Sequence, residues 1–198
     1  MIFDALKNDQ EVEDSCFDKI YPPEISKLAK YHWTPVEVAK MAAEYLVESS
    51  GDKVLDIGSG VGKFCLVGAA CTKGMFYGVE QRESLVAISN QVAQKHQIQN
   101  VKFVHANIKQ ISLADYDSFY FYNSFHENIE TTNPIDNLIP ASKELYYSYT
   151  DYLRREFDKL PVGTRIASYW GGWEEIPDSF DLEFTACDGF LNFLKKIV

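Results

Sequence analysis

Residues 54–65 read VLDIGSGVGKFC. Val54, Leu55 and Ile57 make an apolar run broken only by Asp56, and Gly58, Gly60 and Gly62 then alternate with Ser59 and Val61. That order spells a buried strand, a tight turn and the start of a helix. Glycine allows positive φ and lets a ligand approach the backbone, and the first turn of a helix offers free N–H groups. In an open α/β sheet, ligands bind at the carboxyl ends of strands, where this turn falls. Two common ligand types fit poorly. A phosphate loop ends in GK[ST], and here Lys63 is followed by Phe64. A dinucleotide fingerprint is GxGxxG, whereas this stretch is GxGxG. Asp56 would also repel a pyrophosphate and instead suits a cationic or hydrogen-bond-donating ligand.

Outward from this stretch, strands and helices alternate. Lys53–Ile57 is expected as the first strand, with a helix from about Gly62 to Cys71. MFYGVE (75–80), VKFVH (101–105), SFYFY (118–122) and TRIASYW (164–170) read as further strands. Leu85, Ile88 and Val92 mark one helix, and Leu145, Tyr149, Tyr152 and Leu153 mark a long one after Pro140. The rhythm predicts a doubly wound α/β protein with a mostly parallel sheet covered on both faces. The C-terminal DLEFTACDGFLNFLKKIV breaks it and reads as an antiparallel hairpin turning at Asp188-Gly189. Upstream, TPVE predicts a helix with Thr34 as N-cap, Pro35 at the first position and Glu37 closing a capping box. Residues 1–30 read as an acidic preamble, a loose arm or a lid. Residues 1–50 are thus expected as an N-terminal helical cap and 51–198 as the ligand-binding domain.

The totals narrow the function classes. A chain of 198 residues, 46% apolar, can bury one sizeable core. The net charge of −10 opposes long contacts with nucleic-acid backbones and favours a basic partner. No apolar window of about 18 residues occurs, so no transmembrane segment is expected. The opening MIFDALKNDQEVED has neither a basic nor an apolar signal region, so a signal peptide is not expected and a cytoplasmic location is. Cys16, Cys65, Cys71 and Cys187 lack metal-ligand spacing, which predicts reduced thiols and no metal site.

Taken with Glu80 at the end of the second strand, VLDIGSGVG…FYGVE resembles the first motifs of class I, Rossmann-like methyltransferases that use S-adenosylmethionine. FVHAN and FYNSF are similar to that family's third- and fourth-strand motifs. The resemblance spans about residues 31–185. It implies a seven-stranded sheet with its last strand antiparallel, S-adenosyl-L-methionine as cofactor, and roles for particular residues. Gly58 and Gly60 would hold the methionine part, with Asp56 orienting it and Ser59 also holding the cofactor. Glu80, with Gln81 beside it, would take the ribose hydroxyls, and Asn107 would meet the adenine. Thr34, in a TP motif ahead of the first strand, would also bind the cofactor, with His32 beside it helping to close the site.

Asn123-Ser124-Phe125 is the best clue to the methyl acceptor. It looks like a reduced NPPY motif of amino methyltransferases, without the two prolines. The NSF form is closer to non-SET lysine methyltransferases, both the histone-lysine type and the small archaeal and mitochondrial type. Thr34-Pro35, the GTRIAS strand (163–168) and the nearby Trp170 and Trp173 agree with that likeness. The expected activity is N-methylation of a protein lysine. Asn123 and Phe125 would place the acceptor, Asn123 would also border the cofactor, and His126 is a candidate base. Tyr120, Tyr122, Phe125, Trp170 and Trp173 are candidates for an aromatic channel that keeps the amine neutral. A small-molecule acceptor and a non-catalytic S-adenosylmethionine-binding module are the competing readings. The sequence is silent on oligomeric state.

Overall fold

The computed structural model describes residues 1–130, 132, 134–136 and 138–198. Four short helices come first: α1 (Ile2–Lys7), α2 (Asp14–Phe17), α3 (Pro23–Ser26) and α4 (Ala29–His32). Then follow α5 (Val36–Leu46), β1 (Lys53–Ile57), α6 (Lys63–Cys71), β2 (Met75–Glu80), α7 (Glu83–Lys95), β3 (Val101–His105) and β4 (Ser118–Tyr122). The chain closes with α8 (Lys143–Phe157), β5 (Arg165–Tyr169), β6 (Phe180–Ala186) and β7 (Leu191–Lys196). The strands form one seven-stranded sheet in the order β3-β2-β1-β4-β5-β7-β6. β1 to β5 are parallel, and β7 runs antiparallel between β5 and β6. The hairpin turns through Cys187, Asp188 and Gly189, all at positive φ.

Alternation along the strands feeds two cores. Val54, Phe76, Tyr120 and Phe193 face α5, α6 and α7. Leu55, Ile57, Val79, Phe119 and Phe121 face α8 through Tyr149, Leu153 and Phe157. Each large apolar side chain so buried contributes about 1.5–3 kcal/mol. Five aromatic or apolar residues of the first 33, Phe3, Leu6, Phe17, Tyr21 and Trp33, join the first of these cores.

The preamble is therefore an ordered layer rather than a loose arm. Its acidic stretch is held by Lys63, at the start of α6, whose buried Nζ lies 2.6 Å from both Asp14 Oδ1 and Asp18 Oδ1. Asp14 also corrects the expected cap of α5. Pro35, not Thr34, is the N-cap residue and makes no side-chain cap bond. The Val36 N–H donates to Asp14 Oδ1 at 2.9 Å instead. The Thr34 hydroxyl is drawn away to the Tyr120 phenol, 2.8 Å distant, because a buried phenol must find a polar partner. Among the described residues no helix is long and apolar enough to cross a membrane.

Candidate functional site

The strand order reverses between β1 and β4, and in such sheets the crevice outside the carboxyl ends of those strands is the ligand position. A cleft of about 300 Å³ occupies that place. Gly58 and Gly60 line it from the β1 end, Glu80 and Gln81 from the β2 end, Asn107 from the β3 end and Asn123 from the β4 end. Phe125 and His126 add the next turn, Trp170 comes from the end of β5, and Leu28 to Trp33 of the N-terminal layer form a further wall. Of the residues singled out in the sequence, Gly58, Gly60, Glu80, Gln81, Asn107, Asn123, Phe125 and His126 thus meet around one space.

The glycine turn is fastened from two sides. The Gly58 and Ser59 N–H groups both donate to the Val79 carbonyl, at 2.9 and 3.0 Å. The Gly60 N–H donates to Glu80 Oε2 at 3.1 Å, so the loop and the acid at the tip of β2 are one unit. From the β4 side, Ser124 Oγ donates to the Ile57 carbonyl. The glycines differ in purpose. A side chain on Gly58 would collide with Ser124, whereas one on Gly60 (φ +53°) would meet nothing within 4 Å. Gly58 is therefore set by packing, and Gly60 leaves open backbone to whatever enters.

Glu80 is buried, and burial pushes its carboxyl above the ordinary value. The Arg82 N–H (2.8 Å to Oε1), the Arg82 charge and the Gly60 N–H oppose that rise. The carboxylate retains lone pairs toward the cleft, the chemistry needed to accept from paired hydroxyls. Asn107 is more occupied than its expected adenine role requires. Its Oδ1 accepts from the Lys109 N–H (3.1 Å), capping a 3-10 turn, and its Nδ2 donates to the Tyr149 hydroxyl (2.7 Å).

Three expected cofactor residues stand apart from the main cleft. Thr34, Asp56 and Ser59 line a second cavity of about 30 Å³, with Lys63 and Tyr120. The two spaces share His32, Trp33, Gly58 and Tyr122 as walls. They part because Asp56 points to the α5–α6 face of the sheet, while Leu55 and Ile57 point to the other. Burial pushes the Asp56 carboxyl up to about 8, the Cys65 thiol at 3.5 Å opposes this, and the Glu80 charge adds to it. Ser59 Oγ is buried with no hydrogen-bond partner among the described residues.

On the acceptor side, Asn123 sits at φ +46°, a left-handed conformation that asparagine tolerates better than most residues. A Cβ on Gly171 would lie 3.4 Å from Asn123 Oδ1, so the carboxamide faces the turn that follows Trp170. Tyr122, Phe125 and Trp170 line the cleft. Tyr120 does not. It stacks on Phe64 at 3.9 Å and is core. Trp173 is exposed and lies outside the cleft lining. Phe125 doubles as core, its ring 5.1 Å from that of Tyr149.

The sequence reading missed Arg82 and Ser124. Arg82 is buried at the cleft wall beside Glu80. Its signal was a lone arginine in VEQR, just ahead of an apolar helix face. Ser124 is only the middle of NSF in the sequence; the fold shows that it fills the space above Gly58.

A family model described as a methyltransferase domain matches residues 48–154. Solved structures share the fold. TrmN from Thermus thermophilus is similar at 18% identity and a TM-score of 0.63, over 87% of this chain and 52% of that one, so the chain spans about half that relative's length. An RNA methyltransferase from Salinibacter ruber, in complex with S-adenosyl-L-homocysteine, is similar at 20% identity and 0.57, over 82% and 90%. A SAM-dependent O-methyltransferase from Thermotoga maritima gives 16% and 0.55, over 89% and 72%. No curated protein matches the chain.

Proposed function

The chain belongs to the methyltransferase-domain family, and from that premise we propose that it uses S-adenosylmethionine to N-methylate a lysine of a protein. The cofactor fits the residues present. Gly60 leaves its backbone open to close approach, and Glu80 offers a carboxylate to the same cleft. Ser59 Oγ, without a partner among the described residues, and the acid Asp56 flank the adjoining cavity, oxygens suited to a polar, cationic group. Glu80 and Asn107 would hold the nucleoside side, with Gly58, Gly60, Asp56, Ser59 and Thr34 toward the amino-acid end. When bound, the cofactor supplies an electrophilic methyl group.

The protein's part is then to hold a nucleophile in line with that group. A lysine amine must shed its proton first. Aromatic walls desolvate the ammonium form and lower its pKa, and Tyr122, Phe125 and Trp170 supply such walls. Asn123 Oδ1 would accept from the neutral amine and aim its lone pair. The observation that carries the reading is this juxtaposition: a left-handed Asn123, directly after β4, set between the glycine turn and Trp170. Tyr31 and Trp170, both cleft walls, are half exposed, so the cleft reaches the surface and can admit a long side chain. The net charge of −10 supports a basic partner and opposes an RNA acceptor of the kind used by the Salinibacter ruber RNA methyltransferase.

A small-molecule acceptor is the second reading, favoured by the way Leu28 to Trp33 wall the cleft. Radiolabelled S-adenosylmethionine with cell lysate as acceptor source separates the two. Label in protein bands, at lysine by mass spectrometry, is expected. Label confined to the low-mass fraction overturns the lysine reading in favour of the small molecule, and label in RNA overturns both.

A further inference from the structure

Arg82 is the N-cap residue of α7 and one of the few charged side chains buried in this protein. Its guanidinium meets three carboxylates from three parts of the chain. Nη1 and Nη2 donate to Glu127 as a fork, at 3.1 and 2.7 Å. Nε donates to Asp136 at 3.0 Å. Nη1 lies 3.7 Å from Glu80 Oε1, and the Arg82 N–H donates to that same oxygen at 2.8 Å. A planar fork of this kind fixes direction as well as distance, which a lysine ammonium does not. Glu127 follows directly on Asn123–His126, and Ile135, next to Asp136, lines the cleft together with Glu127 and Glu130.

We propose that Arg82 is a positioning residue that ties the cofactor-side acid Glu80 to the acceptor-side wall carried by Glu127 and Asp136. The proposal rests on the methyl-transfer reading of the cleft. The geometry gives Arg82 two effects. It favours the charged, hydrogen-bond-accepting form of Glu80, against burial and against the neighbouring charge of Glu127; Asp56 also lies close by, and the His105 ring is engaged with the Gln81 carbonyl. It also passes the position of Glu80 to the turn that carries Asn123 and His126. Occupancy of the nucleoside side is thereby felt on the acceptor side before an acceptor arrives.

The test uses S-adenosyl-L-homocysteine as probe, calorimetry at pH 6 and pH 8, and hydrogen exchange of residues 58–62 and 126–130. The wild-type affinities at the two pH values, which include the titration of Asp56, are the reference, and both segments should be protected by the probe. In Arg82→Met the guanidinium no longer opposes the rise that burial imposes on the Glu80 carboxyl, so the loss of affinity relative to wild type should be about tenfold greater at pH 6 than at pH 8. Protection should then persist at 58–62 and vanish at 126–130. Arg82→Lys should restore the pH profile more than the protection, since it returns the charge without the fork. Should Arg82→Met not fold, Glu127→Gln, which spares Arg82 and Glu80, must still lose protection at 126–130. An Arg82→Met protein with a wild-type pH profile and wild-type protection overturns the linkage, as does a Glu127→Gln protein with wild-type protection. A wild-type protein that takes up no probe overturns the methyl-transfer reading itself, and the linkage with it.

Discussion

A Cβ atom on Gly58 would lie 2.7 Å from Cβ of Ser124, so the turn after β1 and the turn after β4 are packed into one another. Gly58 also stands at φ +76°. Gly58→Ala adds strain and a clash together and should destabilise the fold by about 2–4 kcal/mol. Ser124→Gly in the same chain should recover the steric part and leave the backbone part, about 1–2 kcal/mol. Urea unfolding of the single and double variants measures both. Equal stabilities of the two would show that the turns are not in contact.

Asp56 makes stability depend on pH in a definite direction. Its carboxyl stands at about 8 in the folded protein against an ordinary 3.8. Between those values the folded state keeps a proton that the unfolded chain has released, so this group's contribution to stability falls as pH rises and levels off above about 8. Asp56→Asn has no proton to lose. Its stability relative to wild type should grow from pH 5 to pH 8, by at most about 1.4 kcal/mol per pH unit. A difference that stays constant across that range would show that Asp56 is already ionised when folded.

Asn123 has a backbone role and a side-chain role that two substitutions separate. Asn123→Gly keeps the left-handed conformation (φ +46°) and removes the carboxamide. Asn123→Ala removes the carboxamide and adds about 1–2 kcal/mol of strain. If the carboxamide places the acceptor, both variants should lose most methyl transfer, by about a hundredfold on the scale of a lost transition-state hydrogen bond. Both should bind S-adenosyl-L-homocysteine within about threefold of wild type. Transfer retained by Asn123→Gly would leave the residue only its backbone role.

Lys63 fastens the N-terminal layer. Its buried ammonium is shared by Asp14 and Asp18, and Asp14 also receives the Val36 N–H. Lys63→Met leaves Asp18, itself largely buried, without its cation and should destabilise the protein by about 2–4 kcal/mol, somewhat less than a fully buried pair because Asp14 is half exposed. Limited proteolysis should then cut first within residues 1–33. Unchanged stability and unchanged protease resistance would show that apolar contacts alone hold the layer.

The sheet was readable because its central strands β1, β2 and β4 are mostly buried, while β3 at the edge, only partly buried, still carries Val101, Phe103 and Val104. KVLDI, MFYGVE, VKFVH and SFYFY are apolar runs bounded by turn residues, and β1 to β4 coincide with them. The site was readable where a residue type follows from backbone geometry, as with Gly60 and the acid at the tip of β2. It was unreadable where a role depends on a distant partner. Thr34 carries a capping signature, yet Tyr120, 86 positions away, takes its hydroxyl. Asp14 looks like part of a solvated acidic run until Lys63 is brought beneath it. Arg82 offered no periodicity at all, since its three partners come from separate loops and strand ends.

Gly60 offers the most direct measurement of whether the cleft holds the cofactor. A methyl group there would meet no atom of the protein within 4 Å, so Gly60→Ala should fold with a loss of only about 1–2 kcal/mol from its positive φ. Calorimetry with S-adenosyl-L-homocysteine should show saturable one-site binding to the wild-type protein and at least about tenfold weaker binding to Gly60→Ala, the loss of about 1.4 kcal/mol. Absence of saturable heat from folded wild-type protein, or equal affinity of the two proteins, would contradict the assignment.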